Sequence, residues 1–207
     1  DTYYNPRRMN FGALRVLNDD RVEAGKGFGI HPHKNMEIIS IPLKGKLKHG
    51  DSNKNSRTIT IGDIQTMSAG TGIYHSEMNG SDTEPVEFLQ IWVMPEKLNT
   101  PPAYRDYDIR PFLRKNELAL IVSPDGDAPA KMLQQTWFSI GEIEAGKKIG
   151  YHMHQSHAGV YIFVIEGEVK VDDTVLSRRD GMGVYDTHSF ELETLKDSHI
   201  LLMEVPM

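Results

Sequence analysis

The sequence contains no cysteine, and this absence excludes disulfides, thiolate metal sites and a cysteine nucleophile. The lack of cysteine is compatible with a cytoplasmic location, which is the location we expect. No stretch approaches the ~20 apolar residues of a membrane span, so we expect no membrane partner. The formal net charge of −6 argues against direct binding to nucleic acid. The chain begins at Asp1 rather than at a methionine, and we expect the natural protein to have further residues upstream.

Long segments with the 3.6-residue apolar period of a helix are also missing. The chain instead has short runs rich in β-branched and aromatic residues, separated by Gly, Asp and Asn. These runs cover residues 37–43, 57–61, 87–93, 159–165, 168–171 and 199–205. Many short strands without long helices predict an all-β protein, built as a sandwich or a barrel.

Two pairs of metal-ligating residue types lie within this β pattern. His31-Pro32-His33 and His75-Ser76-Glu77 each place two such residues one position apart. On a strand, residues i and i+2 point to the same face, roughly 6.5 Å apart along the chain. Two facing strands could therefore bring three imidazoles and one carboxylate to a single ion. Nitrogen ligands with one oxygen and no sulfur suit Fe(II), Mn, Ni, Cu or Zn better than Mg or Ca.

The first histidine pair is repeated later in the chain. Gly25 is followed by five residues and then His31-x-His33, and Gly146 is followed by five residues and then His152-x-His154. In both places an apolar run and a glycine-containing turn come next. A repeat of this length predicts two copies of one β-barrel. We place the first domain at residues 1–110 and the second at residues 111–207, within a proline-rich connector.

Several of these motifs resemble those of the cupin superfamily. The two segments similar to cupin motifs are Gly25-x5-His31-x-His33-x3-Glu37-x7-Gly45 and Gly62-x5-Ser68-x-Gly70 with Gly72-x2-His75-x3-Asn79. Within the cupins, the chain more closely resembles the pirin family. The motifs that carry this similarity are residues 4–12 and 14–20, His31-Pro32-His33, Leu47-x-His49-x-Asp51-Ser52, and residues 62–65 and 69–77. The chain departs from the family at Lys34-Asn35-Met36, where pirins commonly have Arg-Gly-Phe.

The resemblance implies a bicupin fold, which is two tandem cupin-type β-barrels, with one metal, usually iron, in the amino-terminal barrel. Carried over position by position, the family's ligands fall on His31, His33, His75 and Glu77. Bacterial members of the family are associated with quercetin 2,3-dioxygenase activity. Eukaryotic members are described as nuclear, iron-dependent regulators of transcription-factor binding.

Two carboxylates compete for the fourth ligand position. Glu37 has the strand parity of His31 and His33, and ordinary cupins use the glutamate at this position. Glu77 has the parity of His75, and pirins use this one. We favour Glu77 as the ligand, with Glu37 then lying behind the ligands or at the core rim, paired with a polar neighbour.

The second copy keeps His152 and His154, and His188 is a candidate third ligand. No carboxylate remains at the positions that match Glu37 or Glu77. We therefore favour a metal-free second barrel. The alternative is a three-histidine site resembling a catalytic zinc set.

The resemblance to pirins implies a metal-dependent dioxygenase that acts on a small aromatic, flavonol-like substrate and dioxygen. The expected cofactor is one mononuclear divalent metal, with Fe(II) favoured over Mn, Ni, Cu and Zn. A flavonol would lose its 3-hydroxyl proton, and Glu77 is the expected catalytic base because it lies at the metal. The alternative is a non-enzymatic iron-binding protein of the pirin type, which would sense redox state and regulate a protein partner.

Overall fold

The computed structural model of the protein describes residues 5–52 and 56–207. Tyr4, where the amino-terminal motif starts, lies outside the described residues. Two single-turn 3-10 helices lie at Pro6–Arg8 and Arg110–Phe112. The strands, in chain order, are β1 Leu14–Val22, β2 Gly27–His33, β3 Glu37–Lys44, β4 Leu47–Asp51, β5 Ser56–Ile59, β6 Asp63–Ser68, β7 Ile73–Asn79, β8 Val86–Val93, β9 Ala103–Asp108, β10 Ala119–Ser123, β11 Ala130–Lys131, β12 Trp137–Ile143, β13 Lys148–His152, β14 Ala158–Glu166, β15 Glu168–Val171, β16 Thr174–Ser177, β17 Gly181–Tyr185, β18 Ser189–Thr194 and β19 Ser198–Pro206.

These strands confirm the all-β prediction. The two-residue period is clearest in β7, where Ile73, His75, Glu77 and Asn79 are buried and the residues between them are not. Alternation of this kind is what a strand shows when one face is turned to the interior. No helix among the described residues is long and apolar enough to cross a membrane.

The chain folds into two compact units, called here the first barrel and the second barrel. The first barrel comprises Leu14–Arg110 and Ala130–Gln134. The second barrel comprises the residues up to Ala13, Pro111–Pro129 and Gln135–Met207. A single boundary after residue 110 therefore coincides with one change of unit. Two short segments fall on the wrong side of that boundary. The residues up to Ala13 belong to the second barrel, and Ala130–Gln134 belongs to the first.

Long-range contacts explain why the amino-terminal residues belong to the second barrel. The backbone N–H of Ala13 donates to the carbonyl oxygen of Pro206 at 2.9 Å. The ring of Phe11 packs edge-on against Tyr161, with 5.6 Å between ring centroids. The partners in both contacts are far away along the chain, so no local sequence pattern indicates them.

The first barrel is built from two antiparallel sheets. One has the strand order β1-β8-β3-β6-β9 and the other β2-β7-β4-β5. Side chains alternate along β8, so Phe88, Gln90 and Trp92 share the inward face. Phe88 packs in an apolar cluster with buried Leu47, Ile59 and Val86. Gln90 and Trp92 lie further along the strand, where the interior becomes polar.

The second barrel has the same two-sheet construction. Strands β10, β12, β19, β14 and β17 lie side by side in that order, and the other sheet has the order β13-β18-β15-β16. Aliphatic side chains from both sheets fill its interior: Ile143, Val160, Ile162, Val164, Val169, Val171, Leu176, Leu192, Ile200 and Leu202. An interior filled in this way is a packed core.

Candidate metal centre

Two neighbouring strands of the first barrel bring three histidines together. His31 and His33 lie on β2, and His75 lies on β7 directly opposite His31 in the antiparallel register. The candidate ligand nitrogens of the three rings all lie within 4.8 Å of one another. All three histidines predicted as ligands are thus gathered at one point inside the barrel.

The ring nitrogens of this group fit a metal ion. The Nδ1–H of His31 donates to the carbonyl oxygen of Gly29 at 2.8 Å, which leaves the lone pair of Nε2 available. The Nε2 atoms of His33 and His75 are buried and have no hydrogen-bond partner among the described residues. A buried polar atom without a partner costs free energy. An ion bound by these nitrogens would remove that cost.

Burial also keeps two of these histidines neutral. Desolvation, with a smaller contribution from the charge of His31, lowers the pKa of His33 to about 4. Desolvation and the neighbouring histidines lower the pKa of His75 to about 3. Histidine must be neutral to bind a metal, so both rings can do so at neutral pH without first losing a proton.

Glu77 follows His75 on the same face of β7, but its carboxylate does not join the group of three within the part of the chain described. Its Oε1 accepts a hydrogen bond from the Ser40 hydroxyl at 3.2 Å, and its Oε2 accepts one from the Gln90 side-chain amide. Burial raises the pKa of Glu77, and these two hydrogen bonds oppose that rise. Its role as the fourth ligand stays a prediction.

Glu37 lies on β3 three residues before Ser40, so the two side chains point to opposite faces of the strand. The Glu37 carboxylate accepts the backbone N–H of Leu133 at 3.0 Å. Only 2% of the residue is exposed, and this burial raises its pKa against the hydrogen bonds from Leu133 and Ser68. Glu37 therefore has the polar neighbour expected of a carboxylate that is not a ligand. It ties the segment Ala130–Gln134 to the first barrel.

The sequence patterns did not assign a role to His49, although it lies in the pirin-like motif Leu47-x-His49-x-Asp51-Ser52. Its Nε2 is 3.0 Å from Nδ1 of His75, and its ring stacks on Tyr104 with 4.3 Å between centroids. Burial lowers its pKa to about 4, against the opposing charges of Asp51 and Asp106. The alternation of β4 indicates an inward His49. Its contact with His75 depends on the pairing of β4 with β7.

An apolar wall stands beside the histidines. The indole of Trp92 meets the ring of His33 edge-on, with 4.9 Å between centroids. Its Nε1–H donates to the Gln90 side-chain oxygen at 3.3 Å, so Trp92 is linked through Gln90 to Glu77. The other members of this apolar cluster are Met36, Ile38, Met67, Ala69, Ile73 and Tyr104.

The second barrel arranges its histidines differently. His154 Nδ1 lies 2.7 Å from Oε2 of Glu204, whose residue is 0% exposed. The hydroxyl of Tyr151 donates to the same oxygen at 2.8 Å. Among the residues the structure describes, His152 and His188 do not form a ligand group with His154. His154 is thus engaged by a buried carboxylate.

Comparisons with known proteins cover both barrels. The pirin family model matches residues 1–93, and a model described as quercetinase C-terminal cupin domain matches residues 120–205. A quercetin 2,3-dioxygenase of Escherichia coli strain K12 is 38% identical, over 99% of this chain and 87% of that protein. A pirin-like protein of Caulobacter vibrioides is 34% identical, over 98% of this chain and 88% of that protein.

The fold is also similar to that of a solved structure, the bacterial pirin YhhW of Escherichia coli in complex with nickel(II). That similarity has a TM-score of 0.92 at 36% sequence identity, and it covers 100% of this chain and 88% of the other. These matches confirm the predicted fold of two cupin-type β-barrels. Since the similarity to curated relatives spans nearly the whole chain, the protein belongs to the pirin family.

Proposed function

We propose that this protein is a metal-dependent dioxygenase of the quercetin 2,3-dioxygenase type, acting on a flavonol-like substrate. The observation that carries this proposal is the group of His31, His33 and His75, in which two buried Nε2 atoms have no described partner. Two comparisons support it. One protein at 38% identity is named a quercetin 2,3-dioxygenase, and the similar pirin structure contains nickel(II).

The three histidines would hold one divalent metal, with Glu77 as the proposed fourth ligand. Fe(II) is the favoured metal, and Mn, Ni, Cu and Zn suit the same donors. When bound, such an ion supplies Lewis-acid chemistry, which stabilises the anion of a substrate hydroxyl. The residues around the site would then orient the substrate and move its proton.

Glu77 is the proposed general base, and it would accept the proton of the flavonol 3-hydroxyl. The Ser40 hydroxyl and the Gln90 amide hold its carboxylate in position before any substrate arrives. Such preorganisation lowers the cost of aligning the base with the proton it takes. Gln90 is in turn held by the indole of Trp92.

The apolar wall suits a flat aromatic substrate. Trp92, Met67 and Tyr104 belong to the cluster beside the histidines, and Trp92 lies against His33. Aromatic and aliphatic side chains beside a few polar groups are typical of small-molecule sites. The same side chains would exclude water from the reacting groups.

Oxygen uptake with quercetin tests the proposal directly. Protein loaded in turn with Fe(II), Mn, Ni, Cu or Zn should consume oxygen with at least one of these metals. His33→Ala should abolish both metal binding and uptake, whereas His152→Ala is the matched control in the second barrel and should change neither. Uptake that persists at the wild-type rate in His33→Ala would refute the site.

A metal-loaded protein that takes up no oxygen with any of the five metals would favour the alternative, a non-enzymatic, redox-sensing iron protein with a protein partner. Fe(II)/Fe(III) exchange would change the charge of the site by one unit in that case. The cytoplasmic location stays a prediction under either function.

A further inference from the structure

A fourth histidine lies directly behind one of the proposed ligands. His49 is on β4, which pairs with β7 so that His49 is opposite Glu77 and diagonal to His75. The residue is 1% exposed, and its Nε2 lies 3.0 Å from Nδ1 of His75. The contact occupies Nδ1 of His75, so Nε2 is the ring nitrogen left to bind a metal.

The position of one proton decides what this contact does. Two neutral imidazoles joined by a hydrogen bond share a single proton between the facing nitrogens. If Nδ1 of His75 carries it, His75 donates to His49 and its Nε2 keeps a free lone pair. If Nε2 of His49 carries it, His75 must be protonated at its own Nε2, and that nitrogen cannot bind an ion.

We propose that His49 is a positioning residue that accepts the Nδ1–H of His75 and so presents the bare Nε2 of His75 to the metal site. This inference rests on the proposed function to the extent that it requires a metal at the three histidines. His31 is oriented in the same manner, since its Nδ1–H donates to the Gly29 carbonyl. Ligand histidines held by a partner at the second nitrogen are the rule in metal sites.

The surroundings of His49 keep its own ring in place. Tyr104 stacks on it with an angle of 15° between the ring planes. The Tyr104 hydroxyl is in turn hydrogen-bonded to the side-chain amide of Gln65. Because the acceptor is held from behind, it can fix the orientation of His75 at little further entropic cost.

Two variants separate the hydrogen bond from the shape of the side chain. H49F keeps a flat ring that can stack on Tyr104 but removes the acceptor. H49Q removes the ring but places an amide oxygen near the position of Nε2. The matched control is H152F, a histidine-to-phenylalanine change in the second barrel. Thermal melting of the metal-free variants checks that each protein is folded.

The first readout is nickel(II) affinity, measured by competition with a chelating dye. We expect H49F to weaken binding by about 10–100-fold, H49Q to recover most of that loss, and H152F to bind as the wild type does. Wild-type affinity in H49F, or a loss in H49Q as large as that in H49F, would overturn the inference.

The second readout is the ¹⁵N spectrum of the histidines in zinc-loaded protein. We expect a coupling across the hydrogen bond between His75 and His49, with the proton attached to Nδ1 of His75. The same proton on Nε2 of His49 would overturn the inference. Neither readout depends on turnover. If the wild-type protein binds nickel(II) but takes up no oxygen, only the proposed dioxygenase activity is refuted. If the wild type is active and H49F binds nickel(II) with the same affinity, only the role of His49 is refuted.

Discussion

Replacing Glu204 by Gln tests what holds the second barrel together. The Glu204 carboxylate accepts hydrogen bonds from the Tyr151 hydroxyl, the ring of His154, and the backbone N–H groups of His154 and Gln155. An amide keeps one acceptor oxygen and turns an NH2 group toward donors. Each bond to a charged group contributes roughly 1.5–3 kcal/mol. With two of them lost, we expect the free energy of unfolding to fall by about 3 kcal/mol.

Thermal unfolding followed by tryptophan fluorescence measures this loss of stability in the second barrel, next to Glu204. Trp137 stacks on His154 with 5.0 Å between centroids, and Trp92→Phe as a background leaves Trp137 as the single reporter. At about 2–4 °C per kcal/mol for a chain of this size, the transition should fall by about 6–12 °C.

The control for this experiment is Glu191→Gln in the same barrel. Glu191 is exposed and pairs with Lys148 at 3.3 Å, so its loss should cost less than about 1 kcal/mol. If the free energy of unfolding of Glu204→Gln lies within about 1 kcal/mol of that of the control, the buried carboxylate does not stabilise the barrel.

Three further predictions concern the first barrel. Glu77→Gln should retain much of the bound metal but lose turnover by at least about 100-fold, as measured by metal analysis and kcat; full activity would contradict the base role. Metal at about 100 times its Kd should stabilise the protein by roughly 2.7 kcal/mol, and this gain should vanish in His33→Ala when melting curves are compared. Burial lowers the pKa values of His33, His49 and His75 to about 4, 4 and 3, so below their ordinary pKa near 6.5 the unfolded chain binds more protons than the folded one. The stability of metal-free protein should be complete above about pH 6.5 and fall toward pH 4 by on the order of 3 kcal/mol for each of the three histidines; an unchanged urea midpoint across this range would contradict the burial argument.

The juxtaposition of His31 and His33 was predictable because it is local, whereas their approach to His75 depends on the pairing of β2 with β7. His31 and His33 are two residues apart on one strand, and the two-residue period places both on one face. The same rule assigned Glu37 to that face, and there it was misleading. Asn35 adopts a left-handed φ of 50° between β2 and β3, so strand parity does not carry across this turn. Glu37 instead reaches Leu133.

The residues behind the three histidines were harder to assign, since their roles depend on which strands are neighbours. His49 contacts His75 because β4 lies next to β7, and Gln90 reaches Glu77 from β8 in the other sheet. Neither pairing leaves a pattern in the short apolar runs of the sequence. A motif can indicate that such a residue matters without indicating what it contacts.

The segment Ala130–Gln134 makes the order of synthesis relevant to folding. Strands β1 to β9 are synthesised before Leu133. Until Leu133 is made, the Glu37 carboxylate lacks the backbone N–H that donates a hydrogen bond to it in the first barrel. A buried carboxylate that lacks one of its donors is costly, and Ser68 is then the donor that remains. Phe11 is synthesised early, but the ring that it packs against, Tyr161, is synthesised much later. A chain paused at residue 110 would therefore lack Ala130–Gln134, which completes the first barrel. A protease cut at the same place would divide both units, since the second barrel includes the residues up to Ala13.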